Sequence, residues 1–173
     1  PYRSDLSGCG NWCWAKSAHM NVVYYGNDVY LCDILEYSRT KRISTMGHTD
    51  CCDNPYDSCC TTGPLTGTNN GSTQDILDNW SINSTYSGNY LSTSQIQTEL
   101  SNNRPFIIHQ ENPSGGGHAV SAFGYLNNDI YLQDPGNGTI IRDYADYIIG
   151  YNGYTWIGTL KMNTSATSCP VIQ

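Results

Sequence analysis

The chain has 173 residues, of which 38% are hydrophobic and 12% aromatic, enough for one domain with a real core and too short for two independent domains of ordinary size. Only 13% of the residues are charged and the formal net charge is −7; the longest basic run is Arg39-Thr40-Lys41-Arg42, so a nucleic-acid backbone is not the expected partner. No apolar stretch approaches the ~20 residues of a spanning helix, so the expectation is a soluble monomer without membrane attachment.

In chain order, residues 12–25 place Trp14, Ala18, Val22 and Tyr25 at helical spacing, which predicts an amphipathic first helix whose N-terminus lies near Cys13. A second short helix fits residues 31–37, with Leu31, Ile34 and Leu35 on one face. Residues 47–71 are turn formers and cysteines throughout, the pattern of a stapled loop. Ser72-Thr73-Gln74-Asp75 and Ser92-Thr93-Ser94-Gln95 have the shape of capping boxes and predict two more helix starts, the second helix ending near Asn102 before Arg104-Pro105. Beyond that the period changes to two. Residues 106–108, 118–125, 130–132 and 155–162 read as strands, with turns at Asn127-Asn128 and Pro135-Gly136-Asn137-Gly138. Helices first and strands second predict the α+β class.

The eight cysteines include the vicinal pairs Cys51-Cys52 and Cys59-Cys60. Four thiolates so close could meet one zinc ion, but vicinal pairs lack the two-to-four-residue gap of zinc knuckles. Disulfides fit better, and neither a metal nor a cofactor is expected. Such bridges belong to an oxidising compartment. The chain starts at Pro1 without a charged-then-apolar leader, so a secreted protein whose signal segment has been removed is the expectation.

Three segments carry chemistry: Asn11-Trp12-Cys13-Trp14-Ala15 at a helix start, Gly117-His118-Ala119-Val120 at a strand start, and Gln133-Asp134-Pro135 at the end of the next strand. A nucleophilic thiol must lose its proton near neutral pH, and a helix N-terminus with an imidazole partner favours that loss. His19, six residues beyond Cys13 on one helix, points about 240° away from it. His48 sits in the cysteine-rich loop and His109 inside a hydrophobic strand, where a structural imidazole is the blander account. His118 follows Ser114-Gly115-Gly116-Gly117, whose glycines let a substrate backbone approach closely. Asp134 lies where a returning antiparallel strand would come beside His118, placed to hold its second nitrogen.

The stretches around Cys13-Trp14-Ala15 and His118-Ala119-Val120-Ser121-Ala122-Phe123-Gly124-Tyr125, with the strand ending in Asp134, resemble the papain superfamily of cysteine peptidases. Asp in place of Asn as third member, and Trp on both sides of the cysteine, make the chain more similar to the bacterial C39-like and AvrRpt2-like branches. The resemblance covers residues 11–135. It implies a papain-like single domain over residues 1–173, in which a helical lobe (1–103, with the cysteine-rich loop 47–71) packs against an antiparallel sheet lobe (104–173). It also implies Cys13 as nucleophile, His118 as base, Asp134 as orienting residue, a peptide or protein substrate and an acyl-enzyme. Papain-like enzymes usually carry a Gln six residues before the nucleophile to help hold the oxyanion. Here that position is Ser7 and no Gln precedes Cys13. Losing one such donor costs ~10²–10³ in rate. Ser7 or Asn11 substitutes, or the Cys13 amide acts with less help, or catalysis has been lost; Gly117 is a further substrate-contact candidate.

Rival readings stand beside this one. The triad also suits deamidation or transglutamination, since it fixes the nucleophile and not the acceptor. The missing Gln and the even cysteine count suit an inactive binding protein in which Cys13 is disulfide-bonded. If Cys13 is free, Cys9, Cys32, Cys51, Cys52, Cys59, Cys60 and Cys169 remain as disulfide candidates, one of them unpaired. Cys9 is expected to bridge to the 51–60 cluster or to Cys169, and Cys32 to join the cluster; spacing alone does not fix the connectivity. Trp14, Tyr154 and Trp156 are expected in the core.

Overall fold

The computed structural model describes residues 9–54, 56, 58–150 and 153–167, so Ser7 and Cys169 lie outside the described residues. Helix α1 (Cys13–Tyr24) buries Trp14, Ala15, Ala18 and Val22 along one stripe, as their spacing predicts, together with the polar Ser17 and Asn21. Helix α2 (Leu31–Lys41) starts where the Asp33 carboxylate accepts the Tyr30 N–H at 2.8 Å. It runs past Tyr37 because Arg39 and Lys41 in its last turn complement the helix dipole, a signal without apolar period. One further turn, α3 (Ile43–Met46), leads into the loop.

Three disulfides staple that loop: Cys9–Cys60, Cys32–Cys52 and Cys51–Cys59. Both indoles beside Cys13 are spent on the same loop, Trp12 Nε1 donating to the Cys59 carbonyl at 2.8 Å and Trp14 Nε1 to the Thr61 carbonyl at 3.0 Å. Helix α4 (Thr73–Asn79) is capped by Ser72, whose Oγ accepts the Asp75 N–H at 3.1 Å. The return half of the expected capping box is absent. Asp75 instead accepts the N–H groups of Asn69 and Gly71, each at 2.8 Å, and so draws the end of the loop onto the helix. In α5 (Thr93–Ser101) the box is complete, with Ser92 N–H donating to Gln95 Oε1 at 2.8 Å and Gln95 N–H to Ser92 Oγ at 3.3 Å.

Among the described residues, six antiparallel strands form one sheet: β1 (Ser84–Ser87), β2 (Phe106–Glu111), β3 (Gly117–Leu126), β4 (Asp129–Asp134), β5 (Gly138–Asp143) and β6 (Thr155–Met162), in the order β1-β6-β2-β3-β4-β5. Helix α6 (Tyr144–Ile149), capped by Asp143, carries the chain from β5 back to β6. The turn between β3 and β4 uses Asn127 and Asn128 at φ of 51° and 71°, the left-handed pair that matches the twist of a hairpin. Period-two alternation sorts the strand residues onto two faces. Ile107, Ala119, Leu160 and Met162 meet α1, α2, α4 and the stapled loop, whereas Phe106, Ile108, Val120, Leu132 and Trp156 meet Ile96 and Leu100 of α5 and Tyr147 of α6. The α+β class with helices packed against an antiparallel sheet is therefore the observed one. Two elements that precede residue 104 join the sheet: β1 pairs with β6, and α5 packs on the sheet face away from α1.

Candidate active site

Cys13 is the first residue of α1, a helix whose start carries no side-chain cap, so its first amides are left for other partners. A buried polar seam fixes where that helix end comes to rest. Ser17 Oγ donates to the Ala119 carbonyl at 3.0 Å, while Asn21 Nδ2 donates to the Ser17 carbonyl and to Ser121 Oγ, both at 2.9 Å. The seam locks α1 to β3 one turn and two turns beyond Cys13. Its consequence is that the sulfur meets the head of β3, where Cys13 and His118 line the same cavities and interact electrostatically.

Asp134 arrives by register. Ser121 pairs with Gln133 in the β3–β4 ladder, so the next residue, Asp134, falls diagonal to His118 on one sheet face. His118 Nε2 lies 3.1 Å from Asp134 Oδ2, which leaves Nδ1 for the thiol. The carboxylate is itself held: Oδ1 accepts the N–H groups of Gly136 at 2.7 Å and Asn137 at 3.1 Å. Cys13, His118 and Asp134 thus come together from three separate segments, the first two on shared cavity walls and the last two joined by a hydrogen bond.

Electrostatics favours charge separation along that chain. Burial raises the Cys13 pKa, but the hydrogen bond and charge of His118, with the amides of Ala119 and Trp14, outweigh it and hold the thiol below its ordinary range. Burial lowers the His118 pKa, yet the bonds to Asp134 and to Cys13 lift it to about 9. Asp134, raised by burial, is pulled down to about 2 by His118 and the Gly136 amide. Both shifts favour the thiolate–imidazolium form of the coupled pair.

Two cavities flank the sulfur. One of about 370 Å³ is walled by Trp14, Thr62, Leu65, His109 and Gly117 and includes Asn11 at its rim; the other, of about 200 Å³, is formed by Cys9, Lys16, Pro135 and Gly136. Cys13 and His118 line both. Asn11 is exposed and Gly117 opens β3, so both candidates border the sulfur. His19 turns away to the Val29 carbonyl at 3.0 Å, and His48 is exposed. Trp12 and Trp156 are core, as is most of Trp14. Tyr154 corrects its expected place in the core: it is half-buried, with its ring centroid 5.7 Å from that of His118, and covers the imidazole. His109 also departs from expectation, since its ring forms part of a cavity wall.

Cys13 is the free cysteine among the described residues, which removes the rival in which it is bridged. Cys9 pairs with Cys60 and Cys32 with Cys52, both within the expected sets of partners. Cys32, Asp33 and Cys52 cluster closely, but two of the three sulfur and oxygen donors are already joined to each other as a disulfide, so the group does not suit a metal. No helix among the described residues is long and apolar enough to cross a membrane.

None of the curated proteins matches the chain. Among solved structures, the avirulence protein AvrPphB of Pseudomonas is similar over 94% of this chain and 95% of that one, with 12% identity and a TM-score of 0.42. The model of the Peptidase C39-like family matches residues 1–158. A match of that extent means that this protein belongs to the Peptidase C39-like family.

Proposed function

We propose that the protein is a secreted cysteine peptidase that hydrolyses peptide bonds through Cys13, His118 and Asp134. The observation that carries this reading is a free thiol at a helix start beside an imidazole whose Nε2 meets a clamped carboxylate, with a cavity on either side of the sulfur. Cys13 Sγ attacks the carbonyl carbon, and the displaced electron pair on the oxygen faces the uncapped amides at the start of α1, with Asn11 nearby. As the C–N bond breaks, His118 gives its proton to the leaving amine. The thioester is then attacked by water, which His118 deprotonates, and the acid product leaves with the thiolate restored. Asp134 keeps the ring oriented and stabilises its charged form.

Secretion is supported by three disulfides, which persist in oxidising compartments and are rare in reducing ones. A peptide substrate and a monomeric enzyme complete the proposal; the net charge of −7 argues against nucleic acid as substrate. Iodoacetamide should label Cys13 selectively near neutral pH, and Cys13→Ala should abolish turnover of a mixed peptide substrate. Unchanged activity in that variant would end the proposal. Ammonia release from Gln-containing protein without new chain termini would move the same three residues to deamidation.

A further inference from the structure

The larger cavity is lined by His109, a polar group that the hydrolytic steps do not use. His109 sits on β2 opposite Ala119, and Gly117 lies two residues along β3, so both belong to the sheet face that looks toward α1. A Cβ on Gly117 would stand 3.8 Å from His109 Nε2; the glycine leaves that nitrogen open to the cavity. The opposite nitrogen, Nδ1, lies 3.0 Å from the Tyr86 hydroxyl. Tyr86 has no room to turn aside, because its hydroxyl rests against Gly158 so closely that a Cβ there would collide with it.

The contact couples the ring to the phenol: with the Tyr86 O–H donating to Nδ1, the ring hydrogen resides on Nε2 and points into the cavity. Burial keeps the ring neutral by lowering the His109 pKa, against the smaller opposing pull of Glu111. Burial likewise keeps the Tyr86 phenol protonated.

We propose that His109, oriented by Tyr86, is a specificity-determining residue that donates from Nε2 to an uncharged acceptor on the substrate, the side-chain carbonyl of Gln or Asn. The proposal rests on the peptidase reading. Trp14 and Leu65 supply apolar walls for the methylene stem, and the stem's terminal amide oxygen meets the imidazole. An aliphatic side chain of the same length would bury the Nε2–H without a partner, which is the costly half of any hydrogen-bond exchange. A carboxylate is disfavoured by Glu111 on the same strand, whose charge is felt at His109.

Position-scanned peptides offered to the wild-type protein should reveal one position at which Gln and Asn exceed Leu, Met and Glu by about tenfold in kcat/KM. His109→Leu should invert the Gln-to-Leu ratio at that position, His109→Gln should restore part of it through its amide donor, and Tyr86→Phe should shrink it. A preference for aliphatic side chains at every position, or a ratio that His109→Leu leaves in place, overturns the proposal. Nitrogen-15 shifts of the wild-type histidines need neither variant nor substrate: Nδ1 of His109 should read unprotonated and Nε2 protonated, and the reverse tautomer overturns it too. A wild-type protein that cleaves no peptide at all sinks the peptidase reading instead, and is told apart by the absence of any position effect to measure.

Discussion

Asp134 is asked to do two things at once, and they separate under substitution. One oxygen accepts two backbone amides of the following turn, and the other meets His118. Asp134→Asn keeps the shape and removes the charge. His118 owes part of its rise to about 9 to that carboxylate, so its pKa in the variant should fall back toward the ordinary imidazole range of about 6.5. The imidazolium is the form present below its pKa; the alkaline limb of the kcat/KM profile should therefore move to lower pH, with a fall in kcat. A pH–rate series checks this, and an unmoved alkaline limb would mean that another group sets it. Cys13, His118 and Asp134 were legible because each sits in a short local pattern: a helix start, a glycine run into a strand, and a strand end before Pro-Gly. Tyr154 and His109 were not. An aromatic or imidazole in an alternating strand has the same pattern whether it fills the core or faces a cleft, and only the twist and the neighbouring glycine at 117 decide which.

The same division between local and distant causes runs through the elements. Strand β4 alternates cleanly and β2, β3 and β6 carry apolar runs, whereas β1 is the polar Ser-Thr-Tyr-Ser at a sheet edge, β5 carries Ile140 and Ile141 side by side, and α6 is rich in residues that favour strands. Their identity is imposed by sheet pairing and by the Asp143 cap, not by period. The tryptophans flanking Cys13 are a related case. Their indole N–H groups hold the 59–61 backbone, so they fasten the stapled loop to the helix that carries Cys13. Gly63 completes that joint by lying flat on Trp14: a Cβ there would come 2.3 Å from the ring. Gly63→Ala should cost ~1–3 kcal/mol through overpacking and, because Trp14 walls the larger cavity, raise KM more than it lowers kcat. Gly10→Ala, where nothing lies within 4 Å, is the stability control. Equal melting temperatures for the two variants would show that Trp14 has slack.

At the scale of the molecule, a sheet covered on both faces carries the histidine and aspartate, while the cysteine rides on a helix whose outer support is a loop with little regular structure. Such a loop buries few groups of its own, so covalent closure has to hold it. Cys9–Cys60 does most of this, joining the approach to Cys13 to the far end of the stapled loop across 51 residues. A closure of that length removes chain entropy from the unfolded state equivalent to about 4 kcal/mol. Reductant therefore acts in two senses on this protein: it keeps Cys13 a thiol, and it opens the bridge that holds one wall of the smaller cavity, to which Cys9 belongs. Activity should rise with added thiol and then fall, the fall following loss of the bridge. In the double variant Cys9→Ser, Cys60→Ser, urea unfolding should report the destabilisation of about 4 kcal/mol, and the falling limb should vanish because the variant starts without the bridge. A double variant as stable as the wild type would assign the loop's support to the two indole hydrogen bonds, and a falling limb that persists would assign the loss to one of the two remaining disulfides.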